Sequence, residues 1–168
     1  MLTREQERYL QNLPEAKANK LIVIKSYNPR TKIIAQRILT MIKDVIPEAD
    51  ARFMGASALG ISGQNDVDIY IMCMDRMKDD YHSKLGTILG KTAGNEWTWE
   101  EEGVEISVYL SDPDDKNLRE QIEIFEVFTH NPKALREYEL LKESMNGKTY
   151  REYQIAKYGF YNRALGMS

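Results

Sequence analysis

The sequence is poor in the residues that define several protein classes. Its 168 residues include one cysteine and two histidines, too few for a disulfide framework or a cysteine-rich zinc site. No apolar run approaches the roughly 20 residues that a membrane-spanning helix needs, so no membrane partner is expected. The 23 Lys and Arg residues nearly balance 26 Asp and Glu, leaving a net charge of −3. Because so weak a field does not favour a long nucleic acid held by its phosphates, any nucleotide must bind at a local site.

The start of the chain and its one cysteine favour a cytoplasmic protein. Residues 1–13 mix charged side chains with scattered leucines and lack the apolar segment of a signal peptide. Cys73 lies in an apolar run and is expected to be a buried, unreactive thiol. The chain has no internal repeat, low-complexity tract or linker rich in Pro, Gly or Ser. A single domain over residues 1–168 is therefore predicted.

The pattern of apolar residues predicts an α+β fold. A mixed or antiparallel sheet of about four strands with flanking helices is expected within residues 21–112. A helical lead-in is expected over 1–20 and a helical C-terminal part over 113–168. Residues 21–25 suit either a strand or a packed lead-in. The predicted strands cover 51–55, 67–74, 96–100 and 104–110, and the predicted helices cover 3–19, 29–46, 79–91, 115–129, 133–145 and 149–165.

Two acidic residues stand at the entrance of the most apolar predicted strand. Residues 67–74 are almost continuously apolar, which is typical of an interior strand buried on both faces. Asp66 and Asp68 are two positions apart, and such residues project from the same face of a strand. Two converging carboxylates repel each other unless a cation or a proton lies between them. Mg²⁺ accepts such oxygen ligands and leaves its other positions to water and substrate phosphate, and Mn²⁺ is an alternative.

A glycine-bearing loop precedes these acids. It contains Gly55, Gly60 and Gly63, and glycines let backbone N–H groups turn toward phosphate oxygens. Ser57 adds a hydroxyl donor in the same loop. The loop and the acids together predict a site for a metal ion and a phosphate.

A third carboxylate on a neighbouring strand would complete a two-metal site. Glu105 lies on the polar face of the alternating strand 104–110 and is the first candidate. Antiparallel pairing with the strand at 67–74 would place it beside Asp68. Asp112 is the reserve candidate, although it is more simply a turn residue before a proline.

These residues resemble the nucleotidyltransferase fold superfamily, whose signature joins a small-residue turn that begins with glycine to an acid-hydrophobic-acid triplet on a strand. Within that superfamily the chain looks most like the GrpB group. The resemblance covers roughly residues 20–165 and rests on Tyr27-Asn28-Pro29, Gly55-Ala56-Ser57, Asp66-Val67-Asp68, Asn131-Pro132, Tyr138, Leu141-Lys142, Tyr153 and Lys157.

Two positions depart from the GrpB pattern. Ala56 stands where the turn often has a serine, which removes one phosphate contact and leaves Ser57 to compensate. On the late strand the chain has Glu105-Ile106-Ser107 where members of the group tend to carry His-x-His. The second departure makes the chain more like an ordinary transferase with three acids.

The resemblance implies a Mg²⁺-dependent nucleotidyltransferase that moves an NMP from an NTP, ATP or GTP, to an acceptor hydroxyl. Asp66, Asp68 and Glu105 are then the metal ligands and catalytic residues. Gly55, Ala56 and Ser57 are expected to bind nucleotide phosphate. Lys142 and Lys157 are expected to reach the phosphates from the helical tail as point charges.

Two other functions fit the same residues. An inactive member that binds a nucleotide or cofactor would keep the cleft without turnover, which Ala56 and the uncertain third acid favour. A partner-binding scaffold would instead use the three C-terminal helices. The acceptor stays open between a protein side chain, a small molecule and a short RNA end.

Overall fold

The structure, a computed structural model, describes residues 1–166. Their contacts divide them into two compact units. Unit 1 comprises residues 1–26, 62–64 and the chain from 123 onward, and unit 2 comprises residues 27–61 and 65–122. This division follows contacts rather than chain order, and the number of independently folding domains stays a prediction.

Unit 2 is built on a sheet of four strands. They are β1 (Asp50–Met54), β2 (Val67–Met72), β3 (Glu96–Glu101) and β4 (Val104–Ser111). Their spatial order is β1-β2-β4-β3, with β2 parallel to β4 and the two outer pairs antiparallel. The predicted α+β class and mixed sheet are confirmed.

One face of this sheet forms the core of unit 2. Ile69 and Ile71 of β2 and Ile106 and Val108 of β4 are fully buried on it. The intervening β2 residues are only partly buried. The prediction that β2 is buried on both faces is therefore wrong, because its second face carries Asp68, Tyr70 and Met72, which are only partly buried.

Three helices lie wholly within unit 2. They are α3 (Arg30–Val45), α4 (Ala56–Leu59) and α5 (Lys78–Leu89), the last preceded by a 3₁₀ turn at Asp75–Met77. The helix α3 packs on β1 and β2 through a buried aliphatic stripe, and α5 packs beside α3. The Asn28 side-chain oxygen accepts a hydrogen bond from the Arg30 N–H at 3.1 Å, and α3 begins one residue after the predicted start at 29.

A tight turn joins β3 to β4. Glu102 and Gly103 both have positive φ, 52° and 77°, as the favoured two-residue hairpin turn requires. Its two strands correspond to those predicted over 96–100 and 104–110. The chain from β2 to its parallel neighbour β4 crosses over through α5 and the edge strand β3, as parallel pairing demands.

Unit 1 is helical. The lead-in forms two helices, α1 (Arg4–Gln11) and α2 (Glu15–Ala18), because Pro14 interrupts the single helix predicted over 3–19. The three predicted C-terminal helices are confirmed as α6 (Lys116–His130), α7 (Pro132–Ser144) and α8 (Tyr150–Ala164). The boundary between the units falls within α6.

The short segment after α2 is not a regular strand. It makes two isolated bridges, from Leu21 to Thr149 and from Lys25 to Gly63, so the lead-in alternative is the correct one. Among residues 1–166, no helix has the length and apolar character to cross a bilayer.

Candidate functional site

The glycine loop begins against one of the predicted acids. Gly55 follows β1 directly and has a φ of 89°, a conformation that favours glycine. Met54 of β1 is paired with Asp68 of β2, so the loop that follows β1 begins beside this acid. A methyl group placed on Gly55 would lie 3.7 Å from the Oδ2 atom of Asp68. The structure therefore brings the turn and the acid of the predicted site into contact.

Ser57 is a buried hydroxyl without a partner. It lies in α4, the short helix that the sequence did not predict within the glycine loop, and only 1% of its surface is exposed. Its Oγ atom has no hydrogen-bond partner in the described part of the chain. Leaving a buried polar group unsatisfied costs about 1–3 kcal/mol, so the loop holds this hydroxyl at an energetic cost. Ala56, beside it, is partly exposed.

Asp66 and Asp68 flank the first residue of β2. Both are partly buried. A residue with positive φ, Asn65 at 58°, turns the chain into the strand, and its side-chain oxygen accepts a hydrogen bond from the Asn28 N–H at 3.1 Å. The two acids therefore stand at the end of a central strand that is anchored to the start of α3.

Glu105 does not lie beside Asp68. The antiparallel pairing predicted for its strand is wrong, because β2 and β4 are parallel and Ser107 is the residue opposite Asp68. Glu105 is exposed and is paired with Glu100 of β3. Residues 1–166 contain no group of three or more His, Cys, Asp or Glu side chains that could hold a metal ion. A metal role for Glu105 stays a prediction.

The reserve candidate, Asp112, is a turn residue. Its Oδ1 atom accepts a hydrogen bond from the Asp114 N–H at 2.8 Å, just beyond the end of β4. This bond satisfies the carboxylate locally, in the way expected of an acid that opens a turn before a proline.

Tyr109 is a site residue that the sequence reasoning missed. Its hydroxyl donates a hydrogen bond of 3.5 Å to the Oδ1 atom of Asp68, and its ring stacks on Tyr70 at 4.9 Å. Burial raises the pKa of Tyr109 to about 12, and the charges of Asp68, Glu96 and Asp66 add to the rise. The alternation that placed Tyr109 on the polar face of β4 was the available signal.

Lys32 is a second missed neighbour of the loop. Its ammonium lies 5.7 Å from the centre of the Tyr27 ring, and a methyl group on Gly60 would lie 3.7 Å from its Nζ atom. Gly60 has a φ of 71° and ends α4. Helix spacing alone gave Lys32 no special weight, because its proximity to Gly60 depends on how α3 and the loop fold together.

Lys142 and Lys157 lie in unit 1, on α7 and α8 respectively. Lys142 is only 6% exposed, whereas Lys157 is partly exposed. The residues that the structure joins in unit 2 are thus Gly55, Asp66 and Asp68, with Ser57 in the same loop. The role of the lysines in phosphate binding stays a prediction.

The comparisons with known proteins support the fold. No family model and no curated protein sequence matches the chain. A solved structure, the crystal structure of the conserved protein GrpB from Enterococcus faecalis, superposes with a TM-score of 0.59 at 12% sequence identity. The match covers 86% of this chain and 98% of that chain. The chain therefore has a GrpB-like fold, as the sequence resemblance implied.

Proposed function

We propose that this protein is a Mg²⁺-dependent nucleotidyltransferase that transfers an NMP from ATP or GTP to an acceptor hydroxyl. The observation that carries the proposal is the contact between the Gly55 turn and Asp68, with Asp66 two positions away and the unpartnered Ser57 hydroxyl in the same loop. A loop for phosphate and a pair of carboxylates for a metal ion are the two parts that such a reaction needs.

Two carboxylates, rather than the three predicted, still suit Mg²⁺. Two carboxylates, Asp66 and Asp68, are within the usual number of protein ligands for this ion, which takes its remaining oxygens from water and substrate phosphates. Bound there, Mg²⁺ or Mn²⁺ would supply positive charge against the phosphate oxygens. The nearby Tyr109 hydroxyl, held protonated by its raised pKa, orients the Asp68 carboxylate.

The protein's own residues would then divide the work of the transfer. Gly55 and Ala56 admit the phosphates close to the backbone, and the Ser57 hydroxyl donates to a phosphate oxygen. The acceptor oxygen bonds to the α-phosphorus, the bond to the β-phosphate breaks and pyrophosphate leaves. Glu105 is the predicted base for the acceptor proton. Positioning and charge neutralisation supply most of the rate enhancement in such a reaction.

The test is calorimetric titration of the protein with Mg²⁺ and ATP or GTP. Asp68→Asn and Asp66→Asn keep the side-chain shapes and remove the charge, so we expect both to abolish metal-dependent binding. Asp79→Asn is the matched control, because Asp79 is an exposed acid of unit 2 in the first turn of α5. The proposal would be overturned if Asp68→Asn bound Mg²⁺-ATP and Mg²⁺-GTP as tightly as the wild type does.

A second candidate is a member that binds the nucleotide without turnover. Residues 1–166 hold no arrangement of three carboxylates for metal, and Ala56 lacks the hydroxyl of the more common serine. Pyrophosphate release in the presence of small hydroxyl compounds, a peptide or a short RNA separates the two candidates. Metal-dependent binding that never yields pyrophosphate favours the inactive member. With either function, we expect the protein to act in the cytoplasm.

A further inference from the structure

A small cavity lies within unit 2, between α3, α5 and the edge strand β3. Its volume is about 240 Å³. Two of its lining residues are charged, Arg37 of α3 and Glu101 of β3. The others are apolar: Ile38, Met41, Ile88, Leu89 and Trp99. The described residues thus form an apolar chamber whose wall contains one pair of opposite charges.

This cavity is separate from the candidate nucleotide site. Trp99 is paired with Ile106, which is fully buried on the core face of the sheet. Asp68 is opposite Ser107, the next residue of β4. Successive residues of a strand project from opposite faces of a sheet. The cavity and the Asp68 carboxylate therefore lie on opposite faces of the unit 2 sheet.

The charged pair lies where the cavity meets the solvent. The Nη2 atom of Arg37 donates hydrogen bonds to both carboxylate oxygens of Glu101. The Arg37 side chain is 50% exposed and that of Glu101 is 34% exposed, whereas Ile38 at the inner wall is only 1% exposed. A small molecule can therefore reach the apolar walls without opening the core.

Two hydrogen-bond donors of the lining have no strong acceptor. A guanidinium carries five N–H donors. Glu101 binds Nη2 of Arg37, but the partner of Nη1 is the Met41 sulfur at 3.9 Å, a weak acceptor. The Trp99 indole N–H makes no hydrogen bond within residues 1–166, whereas that of Trp97 donates to a backbone carbonyl at 2.8 Å. A ligand with an acceptor oxygen would complement this lining.

The size and the walls of the cavity indicate a single aromatic ring. A dry apolar cavity of about 150 Å³ holds a benzene molecule, so about 240 Å³ accommodates one ring with a short substituent. The Trp99 ring and the Met41 thioether are both groups that make favourable contacts with an aromatic ring.

The charges at the rim favour a neutral ligand over an anion. Glu101 already balances the charge of Arg37, and Glu102 balances Arg30 through an ion pair of 2.7 Å. Glu100 precedes this pair of acids in the chain and has no ion-pair partner in the described part of it. A carboxylate in the cavity would therefore add a negative charge beside an unneutralised excess of acids.

We propose that this cavity binds a small uncharged aromatic compound that carries a carbonyl group. The ring fills the space beside Trp99 and Met41, and the carbonyl oxygen accepts hydrogen bonds from the Trp99 indole and the Arg37 guanidinium. The site is argued from α3, α5 and β3 and does not depend on the proposed transfer reaction.

The first test uses benzamide as the probe and follows the tryptophan indole N–H signals by nuclear magnetic resonance. The chain has two tryptophans, and Trp99→Phe assigns both signals by removing one. We expect benzamide to shift the Trp99 signal saturably. The Trp97 signal should move less, because its N–H is already bonded to the Gly90 carbonyl. The absence of a saturable shift at Trp99 would overturn the proposal.

A variant that fills the cavity tests the location. Ile88 is a partly exposed wall residue, and Ile88→Phe places extra ring atoms in the space. We expect benzamide affinity, measured from the Met41 methyl signal, to fall roughly tenfold or more because close-packed walls leave no other room. Ile33→Phe is the matched control, since Ile33 of α3 is 71% exposed and does not line this cavity. Wild-type affinity in Ile88→Phe would refute the location.

A second ligand tests the hydrogen bond. Trp99→Phe keeps an aromatic ring and removes the N–H, so benzamide should bind roughly fivefold more weakly. Toluene has the same ring without an acceptor, and its affinity should stay nearly unchanged in this variant. Equal weakening of both ligands would contradict the assigned carbonyl contact.

Two comparisons test the ligand class and the independence of the site. Benzoate has the shape of benzamide with a negative charge, and we expect it to bind roughly tenfold more weakly. Tighter binding of benzoate would overturn the choice of a neutral ligand. Asp68→Asn should bind benzamide as the wild type does, whatever its Mg²⁺-nucleotide affinity. Loss of benzamide binding in Asp68→Asn would contradict a separate site.

Discussion

The two units carry their chemistry in different surroundings. In unit 2 the candidate residues lie where a central strand meets a glycine loop, and the acids stay partly exposed. In unit 1 the charged groups are lysines held between helices and covered by aromatic rings. A strand entrance can offer carboxylates to solvent at little cost, whereas a buried ammonium needs a partner. Unit 2 thus holds its carboxylates near solvent, whereas unit 1 holds its ammonium groups among aromatic rings.

The largest effect should come from removing the ring at the centre of the aromatic cluster. Phe128 is 2% exposed and stacks on Tyr138 at 4.6 Å. We expect Phe128→Ala to lower the free energy of unfolding by about 3–5 kcal/mol, through lost burial and the cavity that remains. Denaturant unfolding measures this change. A loss below about 1 kcal/mol would mean that the cluster does not hold unit 1 together.

The second prediction tests whether Lys142 is there for stability. Lys142→Met should leave the free energy of unfolding unchanged or raise it by about 1 kcal/mol, because a buried charge that has only a phenol and aromatic rings as partners is replaced by an apolar chain. Thermal unfolding in phosphate-free buffer measures it, with Lys148→Met as control. A decrease of about 2 kcal/mol or more would show a structural ammonium and weaken the contrast between the units.

The third prediction concerns Tyr109 of unit 2. Its pKa in the folded protein is about 12, above the ordinary value of 10, so the folded state holds this proton more tightly. The resulting stability is complete below pH 10 and is lost as the pH rises from 10 toward 12. Tyr109→Phe should lower the free energy of unfolding by about 1 kcal/mol at pH 7. Between pH 10 and 12 the variant should lose less stability than the wild type.

The measurement for Tyr109 is denaturant unfolding at several pH values. Tyr70→Phe, on the ring that stacks against it, serves as the control. Parallel alkaline stability curves for the wild type and Tyr109→Phe would contradict the assignment.

The smallest effect is expected at Glu139 of unit 1. The Ser62 backbone N–H donates to its Oε1 atom at 3.0 Å and Arg136 donates to its Oε2 atom at 2.6 Å, which together lower the pKa of the carboxyl. The stability from this group is present above pH 4.5 and is lost as the pH falls through the lowered pKa. In denaturant unfolding at several acidic pH values, Glu139→Gln should show a weaker pH dependence of the free energy of unfolding than the wild type. The same pH dependence in both proteins would contradict the expectation.

The elements were largely predictable because each has local signals. The spacing of apolar residues in the helices, the apolar run of β2 and the alternation of β4 all depend on neighbours in the chain. Two features had no such signal. The helix α4 forms within a glycine loop, and the parallel pairing of β2 with β4 depends on strands far apart in sequence.

The candidate site was predictable only in part, because some of its contacts join strands that are far apart in sequence. Asp66 and Asp68 share a strand entrance, so their relation is local and was visible in the pattern. Glu105 required a strand register, and the register places Ser107 opposite Asp68 instead. The hydrogen bond from Tyr109 to Asp68 also crosses between strands, and alternation could indicate only the face on which Tyr109 lies.

The sequence by itself determined the α+β class, most helix and strand positions, and the loop and acid pair from which a nucleotide site was inferred. These follow from periodicity, capping and residue chemistry within short segments. The tertiary structure decided which residues face Asp68, that the Ser57 hydroxyl is buried without a partner, and that Lys142 lies among tyrosines rather than at the surface. Burial and cross-strand register depend on packing between distant segments, which no local pattern encodes.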